Sequence, residues 1–236
     1  MKRLPAKEAA KKFVDMEYPN CDGALLAGSV VRGEATQTSD LDIVIFDQSL
    51  TYSYRESLIK FDWPIEVFVH NLASYKSFIA MDAAKGLSSL PRMVVDGFVL
   101  RDLGMIDKIK EEAQELIDKG PSSWSMETIQ TRRYTITDMV DDLLGSKKRE
   151  EDICIVMSVA PLIPEFYLRT NHQWIGESKW IHRALKKYDP SFANRYTQAF
   201  EDFFQTGTKA EIVNIIDEVL APFGGRLFEG FSLGKQ

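Results

Sequence analysis

Three carboxylates and a Gly-Ser pair stand at spacings that could bring a metal ion and a polyphosphate together. In GSVVRGEATQTSDLDIVI, residues 28–45, Asp40 and Asp42 flank Leu41 at the start of an apolar run. Side chains alternate along a strand, so both aspartates point to one face. Two carboxylates about 4 Å apart repel by roughly 4 kcal/mol at an effective dielectric near 20, so something has to offset them. Further on, WPIEVFVHN, residues 63–71, puts Glu66 on the same strand face as Phe68 and His70. Three acidic oxygen donors suit a hard divalent cation, and magnesium in particular accepts a few carboxylates and completes its octahedron with waters and phosphate oxygens. Gly28 and Ser29 supply the other half: glycine lets backbone come close, and a hydroxyl with amides at a helix start binds phosphate. Asp-x-Asp alone also fits a solvated strand face; Gly28-Ser29 and Glu66 together favour the metal reading. Asp62 lies near enough in sequence to be an alternative to Glu66, because one residue of register decides between faces.

These residues need a sheet to hold them. The patterning predicts a helix over 6–16, a strand over 24–27 ended by Gly28, a short helix around 30–33, and a strand over 41–46. After a polar YSYRES segment, Pro64 marks the entry to a third strand carrying Glu66, with His70 as its cap. A helix over 73–85, a turn near Leu90-Pro91, a fourth strand over 97–102 and a helix over 105–120 complete the mixed region, which Gly120-Pro121 closes. Everything beyond reads as helix: 125–145, then 150–170 as one element, then 178–188. Two more follow, one from an Asp189-Pro190 start and one from a Thr208-x-x-Glu211 capping box. The reading is an α/β (α+β) chain with two domains, a catalytic domain over 1–120 and a helical bundle over 121–236.

Composition narrows the partners. The 236 residues are 44% hydrophobic and 11% aromatic, enough for a substantial core. A net charge of -6 disfavours nucleic acid and anionic membrane as whole-surface partners. Cys21 and Cys154 have no metal or redox spacing and read as free thiols in a reducing cytoplasm. The N-terminus is basic but no apolar segment follows it, and ICIVMSVAPLI is too short to span a bilayer, so a soluble cytoplasmic protein is expected.

Gly-Ser, ten intervening residues, Asp-x-Asp and a third carboxylate on a later strand form neither a Walker phosphate loop nor a dinucleotide fingerprint. The pattern resembles the nucleotidyltransferase superfamily of DNA polymerase beta. Within it, Arg32-Gly33 and Ser39 make the stretch similar to the bacterial branch of aminoglycoside and lincosamide nucleotidyltransferases and minimal nucleotidyltransferases. The resemblance covers the first 120 residues. It implies that Asp40, Asp42 and Glu66 hold two magnesium ions, with Glu66 helping to deprotonate the acceptor. Gly28 and Ser29 would hold the β- and γ-phosphates of ATP or another NTP, and Arg32 and Ser39 would line the nucleotide pocket. The implied reaction passes a nucleoside monophosphate, AMP from ATP, to a hydroxyl of a small molecule and releases pyrophosphate. Transfer to a protein, a non-catalytic nucleotide-binding regulator and RNA tailing are the other readings. A homodimer and an acceptor-side role for the bundle are expectations of the same resemblance. Asp138, Asp142 and Lys179 could reach the acceptor, but a solvated helix face explains them as well, and Trp174 and Trp180 read as core aromatics.

Overall fold

A computed structural model describes residues 3–234, and the chain divides into two compact units between Gly120 and Pro121. The first is built on a five-stranded mixed sheet of β1 (Gly23–Ala27), β2 (Leu41–Phe46), β3 (Tyr54–Lys60), β4 (Trp63–His70) and β5 (Phe98–Asp102), in the order β3-β4-β2-β1-β5. β2 runs parallel to β4, and the other pairs are antiparallel.

Alternation divides the side chains between two packed faces. Ala24 and Leu26 of β1, Leu41, Ile43 and Ile45 of β2, and Ile65, Val67 and Val69 of β4 pack with Ala9, Ala10, Phe13 and Val14 of helix α1 (Ala6–Glu17). Leu25, Val44 and Phe46 face the other way, toward α2 (Leu72–Lys85), α3 (Ser89–Asp96) and α4 (Ile106–Lys119) through Tyr75, Leu90, Val94, Ile106 and Ile109. Asp42 and Glu66 sit at the end of this second face, beyond its apolar part.

Three local expectations for this unit are corrected. The polar segment after residue 52 holds a strand, β3, an edge strand whose polar, solvent-facing residues hide its alternation. It joins β4 through a two-residue turn, Phe61-Asp62, both with positive φ (55° and 61°), which is the type I′ form that usually carries Asn-Gly. Leu90-Pro91 is the first turn of α3 and not a loop: an N–H there has no partner inside the helix, so proline loses nothing. No helix follows Ser29. Residues 29–33 form turns closed by the Glu34 N–H donating to the Ser29 carbonyl at 3.0 Å, and the positive φ of Gly28 and Gly33 leaves too short a run between them for a helix.

The second unit is helical: α5 (Met126–Gly145), α6 (Arg149–Val159), α7 (Leu162–Thr170), α8 (Lys179–Tyr188), α9 (Pro190–Thr206) and α10 (Ala210–Leu220) around one apolar core. The stretch expected as one helix over 150–170 is broken at Ala160-Pro161, because proline has no N–H to donate and its ring crowds the carbonyl four residues back. By composition Arg149–Thr170 is apolar enough to cross a membrane, yet its Val156, Val159, Ile163, Phe166 and Leu168 are buried in this core. Asp189 caps α9 by accepting from the Phe192 N–H at 2.9 Å. The Thr208 box does not form. Lys209 takes the cap position, and its ammonium is held by the Leu143 and Ser146 carbonyls and by Asp152 at 2.7 Å.

Candidate active site

Strand register assembles the site. Asp42 of β2 lies opposite Ala27 of β1 on one side and opposite Glu66 of β4 on the other, and Asp40 immediately precedes β2. Carboxylate oxygens of Asp40, Asp42 and Glu66 all lie within 4.8 Å of one another, each half-buried. At that separation each pair repels by roughly 3 kcal/mol in a surface-like dielectric. The strain shows at Asp42, whose carboxyl is pushed up to about 6, first by burial and then by the charges of Asp40 and Glu66, while Arg32 and Arg55 pull it back. Three convergent oxygens with only partial cationic compensation fit a hard divalent cation. Asp62, the sequence alternative to Glu66, sits in the β3–β4 turn and is not part of the cluster.

Gly28 is shaped by this cluster. Its φ is +77°, and a Cβ there would stand 1.9 Å from Asp42 Oδ2, so only glycine lets the chain leave β1 beside the carboxylate. Ser29 Oγ donates to Ser39 Oγ at 3.0 Å, and Ser39 Oγ accepts the Thr36 N–H at 2.8 Å, tying both ends of the 28–40 loop together. Arg3 fastens the loop from outside, donating to the Ser39 carbonyl at 3.2 Å while its guanidinium covers the Trp63 ring. Residues 29–33 offer turn amides and hydroxyls in place of the expected helix N-terminus, which is withdrawn. Arg32 lies 3.4 Å from Glu34.

Two residues near the site were not legible beforehand. Arg3 lay in what read as a helix approach. Arg55, whose Nη2 donates to Glu66 Oε2 at 2.6 Å, lay in what read as a polar segment with no apolar period to announce a strand. His70 ends β4 almost fully buried against Tyr75 and Phe78, where burial pushes its imidazole pKa down, and it takes no part in the triad.

In the helical unit Asp138, Asp142 and Lys179 are exposed, and Glu165 pairs with Arg132 at 3.2 Å. Trp174 is buried, but Trp180 is 38% exposed and is not a core aromatic. A depression of about 300 Å³ lies between the start of α7 and residues 175–181, edged by Glu165 and Glu177, and contains none of the triad.

Three carboxylates at one end of the sheet beside a Gly-Ser turn could hold a divalent cation next to phosphate oxygens. Residues 7–78 match the nucleotidyltransferase domain family. The matched segment takes in β1 to β4 with Gly28, Ser29, Asp40, Asp42 and Glu66, and it supports a nucleotidyltransferase domain in the first unit, for which a nucleoside triphosphate is the implied substrate. Among solved structures the chain is similar to a nucleotidyltransferase-like protein from Exiguobacterium sibiricum, at 8% identity over 92% of this chain and 74% of that one, with a TM-score of 0.47. No curated protein matches the sequence.

Proposed function

We propose that the protein transfers AMP from ATP to a hydroxyl of a small-molecule acceptor. The observation that carries this reading is the convergence of Asp40, Asp42 and Glu66 within 4.8 Å beside Gly28. These three side chains would hold the magnesium ions, for which the donor set is suited. When bound, such ions lower the pKa of an attacking hydroxyl and stabilise charge on the departing oxygens. The protein's own residues do the rest. The Gly28-Ser29 turn and the Ser29 hydroxyl hold the β- and γ-phosphates, while Ser39 and Arg32 border the nucleotide. The Glu66 carboxylate accepts the proton of the acceptor hydroxyl. The acceptor oxygen forms its bond to the α-phosphorus as the bond to the bridging oxygen breaks, and that electron pair leaves with pyrophosphate. No covalent enzyme intermediate is required. A reducing cytoplasm suits the two free cysteines, one buried and one exposed.

The test is label transfer. The chain is incubated with magnesium and each α-labelled NTP, together with aminated and hydroxylated small molecules, proteins and RNA. Label from ATP on a small molecule supports the proposal. Label on protein or RNA moves the acceptor class, and tight ATP binding without pyrophosphate release under any acceptor overturns it in favour of a regulator.

A further inference from the structure

Glu66 already has a counter-ion. Arg55 Nη2 donates to Glu66 Oε2 at 2.6 Å, and the same guanidinium lies 5.0 Å from the centre of the Phe68 ring. Both contacts follow from register. β3 and β4 pair with Ser57 opposite Glu66 and Arg55 opposite Phe68, so Arg55 lies diagonal to Glu66 on the face that carries the triad. Phe68 supports the guanidinium from one side and the carboxylate fixes it from the other.

We infer that Arg55 is a positioning residue that stands in the place of a divalent cation at Glu66. It holds the carboxylate within the cluster while the site is empty, and it yields the carboxylate when a cation engages. It thereby sets the cation concentration at which the site fills. This rests on the proposed metal role of the triad.

The charge balance supports an exchange over a permanent bond. Three carboxylates face Arg55 and Arg32, and Arg32 also approaches Glu34. At least one residual negative charge remains, and Arg55 is one of the two cations relieving Asp42. A divalent ion brings twice the charge of the guanidinium to the same oxygens, after which Arg55 becomes a like-charged neighbour of that ion. Glu66 Oε2 cannot be fully shared between the two. The Arg55 side chain is 58% exposed, so an ion pair of this kind is weak and its guanidinium can leave into water.

The experiment measures Mn2+ binding to the full-length protein without nucleotide, following free Mn2+ by electron paramagnetic resonance. Wild type is compared with Arg55→Gln, Arg55→Lys, Asp42→Asn, Glu66→Gln and the double variant Arg55→Gln/Glu66→Gln. Removing one unit charge several ångströms from a divalent ion in largely aqueous surroundings should tighten binding by about five- to tenfold in Arg55→Gln. Arg55→Lys, which keeps the charge, stays within about twofold of wild type, and the gain disappears in the Glu66→Gln background. Equal or weaker binding by a folded Arg55→Gln overturns the inference, as does a gain that persists without Glu66. Loss of binding in Asp42→Asn keeps the metal reading standing whichever way Arg55 falls. If wild type binds no Mn2+, or Asp42→Asn binds it like wild type, the metal reading fails and the inference falls with it.

Discussion

Replacing Gly28 by alanine separates what the backbone needs at this turn from what the chemistry needs. Two costs arise. The residue has φ +77°, and holding alanine in the left-handed region costs about 1–2 kcal/mol. In a unit of this size that lowers the unfolding midpoint by several degrees. The second cost falls on Asp42. The added Cβ would stand 1.9 Å from Oδ2 and 2.9 Å from Cγ. The oxygen is the end of a rotatable side chain, so it moves and the strand stays. To regain ordinary contact it must shift by more than about 1 Å, and a misplacement of that size in a reacting constellation costs on the order of 100-fold in rate. Gly33→Ala is the control. That glycine has φ +73° but, among the described residues, nothing within 4 Å of its would-be Cβ, so it incurs the backbone strain without the displacement. Thermal unfolding and pyrophosphate release are measured on both variants. Similar falls in midpoint are expected, with turnover lost by about two orders of magnitude in Gly28→Ala and kept within about threefold in Gly33→Ala. A folded Gly28→Ala with near wild-type turnover would refute the link between this turn and the Asp42 carboxylate.

Other outcomes follow from the same geometry. Asp42→Asn removes charge without changing size, so pyrophosphate release should fall below detection while the unfolding midpoint holds or rises. Because folding raises the Asp42 carboxyl from its ordinary 3.8 to about 6, the folded protein binds the proton more tightly than the unfolded chain. That contribution to stability is present below about pH 4 and is lost as pH rises through about 6. It amounts to at most about 3 kcal/mol, less for partial solvation, and urea unfolding in a chelator should show it in wild type but not in Asp42→Asn. Tyr75→Phe should leave stability unchanged or raise it by up to about 1 kcal/mol in denaturant titrations, since the phenolic oxygen is buried with no hydrogen-bond partner among the described residues. Asn71→Ala should cost about 1 kcal/mol in the same measurement, because Asn71 forms the capping box of α2 with Ser74.

Legibility in the sequence followed how strongly burial constrains each segment. β2 matched its expected span, Leu41–Phe46, because its alternation is written in Leu41, Ile43 and Ile45 against Asp42 and Val44. β3 was missed because an edge strand with most side chains in solvent has no apolar period to read, and its turn uses Phe61-Asp62 where Asn-Gly would have announced a hairpin. The cost was specific: Arg55, and with it the partner of Glu66, could not be placed. The spacing of Gly28 and Ser29 to the aspartates was legible, but the reason for Gly28 was not, since the approach of its backbone to Asp42 appears only when β1 and β2 are paired. Helix breaks at proline were misjudged in both directions, Pro91 lying inside a first turn and Pro161 dividing one apolar run into α6 and α7.

The core, and not the site, keeps the triad together. Asp42 and Glu66 meet because β2 and β4 run parallel with these residues opposite, and a slip of one residue in either strand would turn its carboxylate to the α1 face. The same slip would carry Leu41, Ile43 and Ile45, or Ile65, Val67 and Val69, out of a packed layer in which each is buried. Full burial of such a side chain contributes about 1.5–3 kcal/mol, so three of them outweigh the roughly 3 kcal/mol of repulsion that one carboxylate pair exerts against the register. The apolar residues between the acids therefore enforce a convergence that the acids themselves oppose. Substitutions such as Ile43→Ala or Val67→Ala should then weaken Mn2+ binding only as far as they loosen the strand pairing, whereas Asp42→Asn removes binding with the pairing intact.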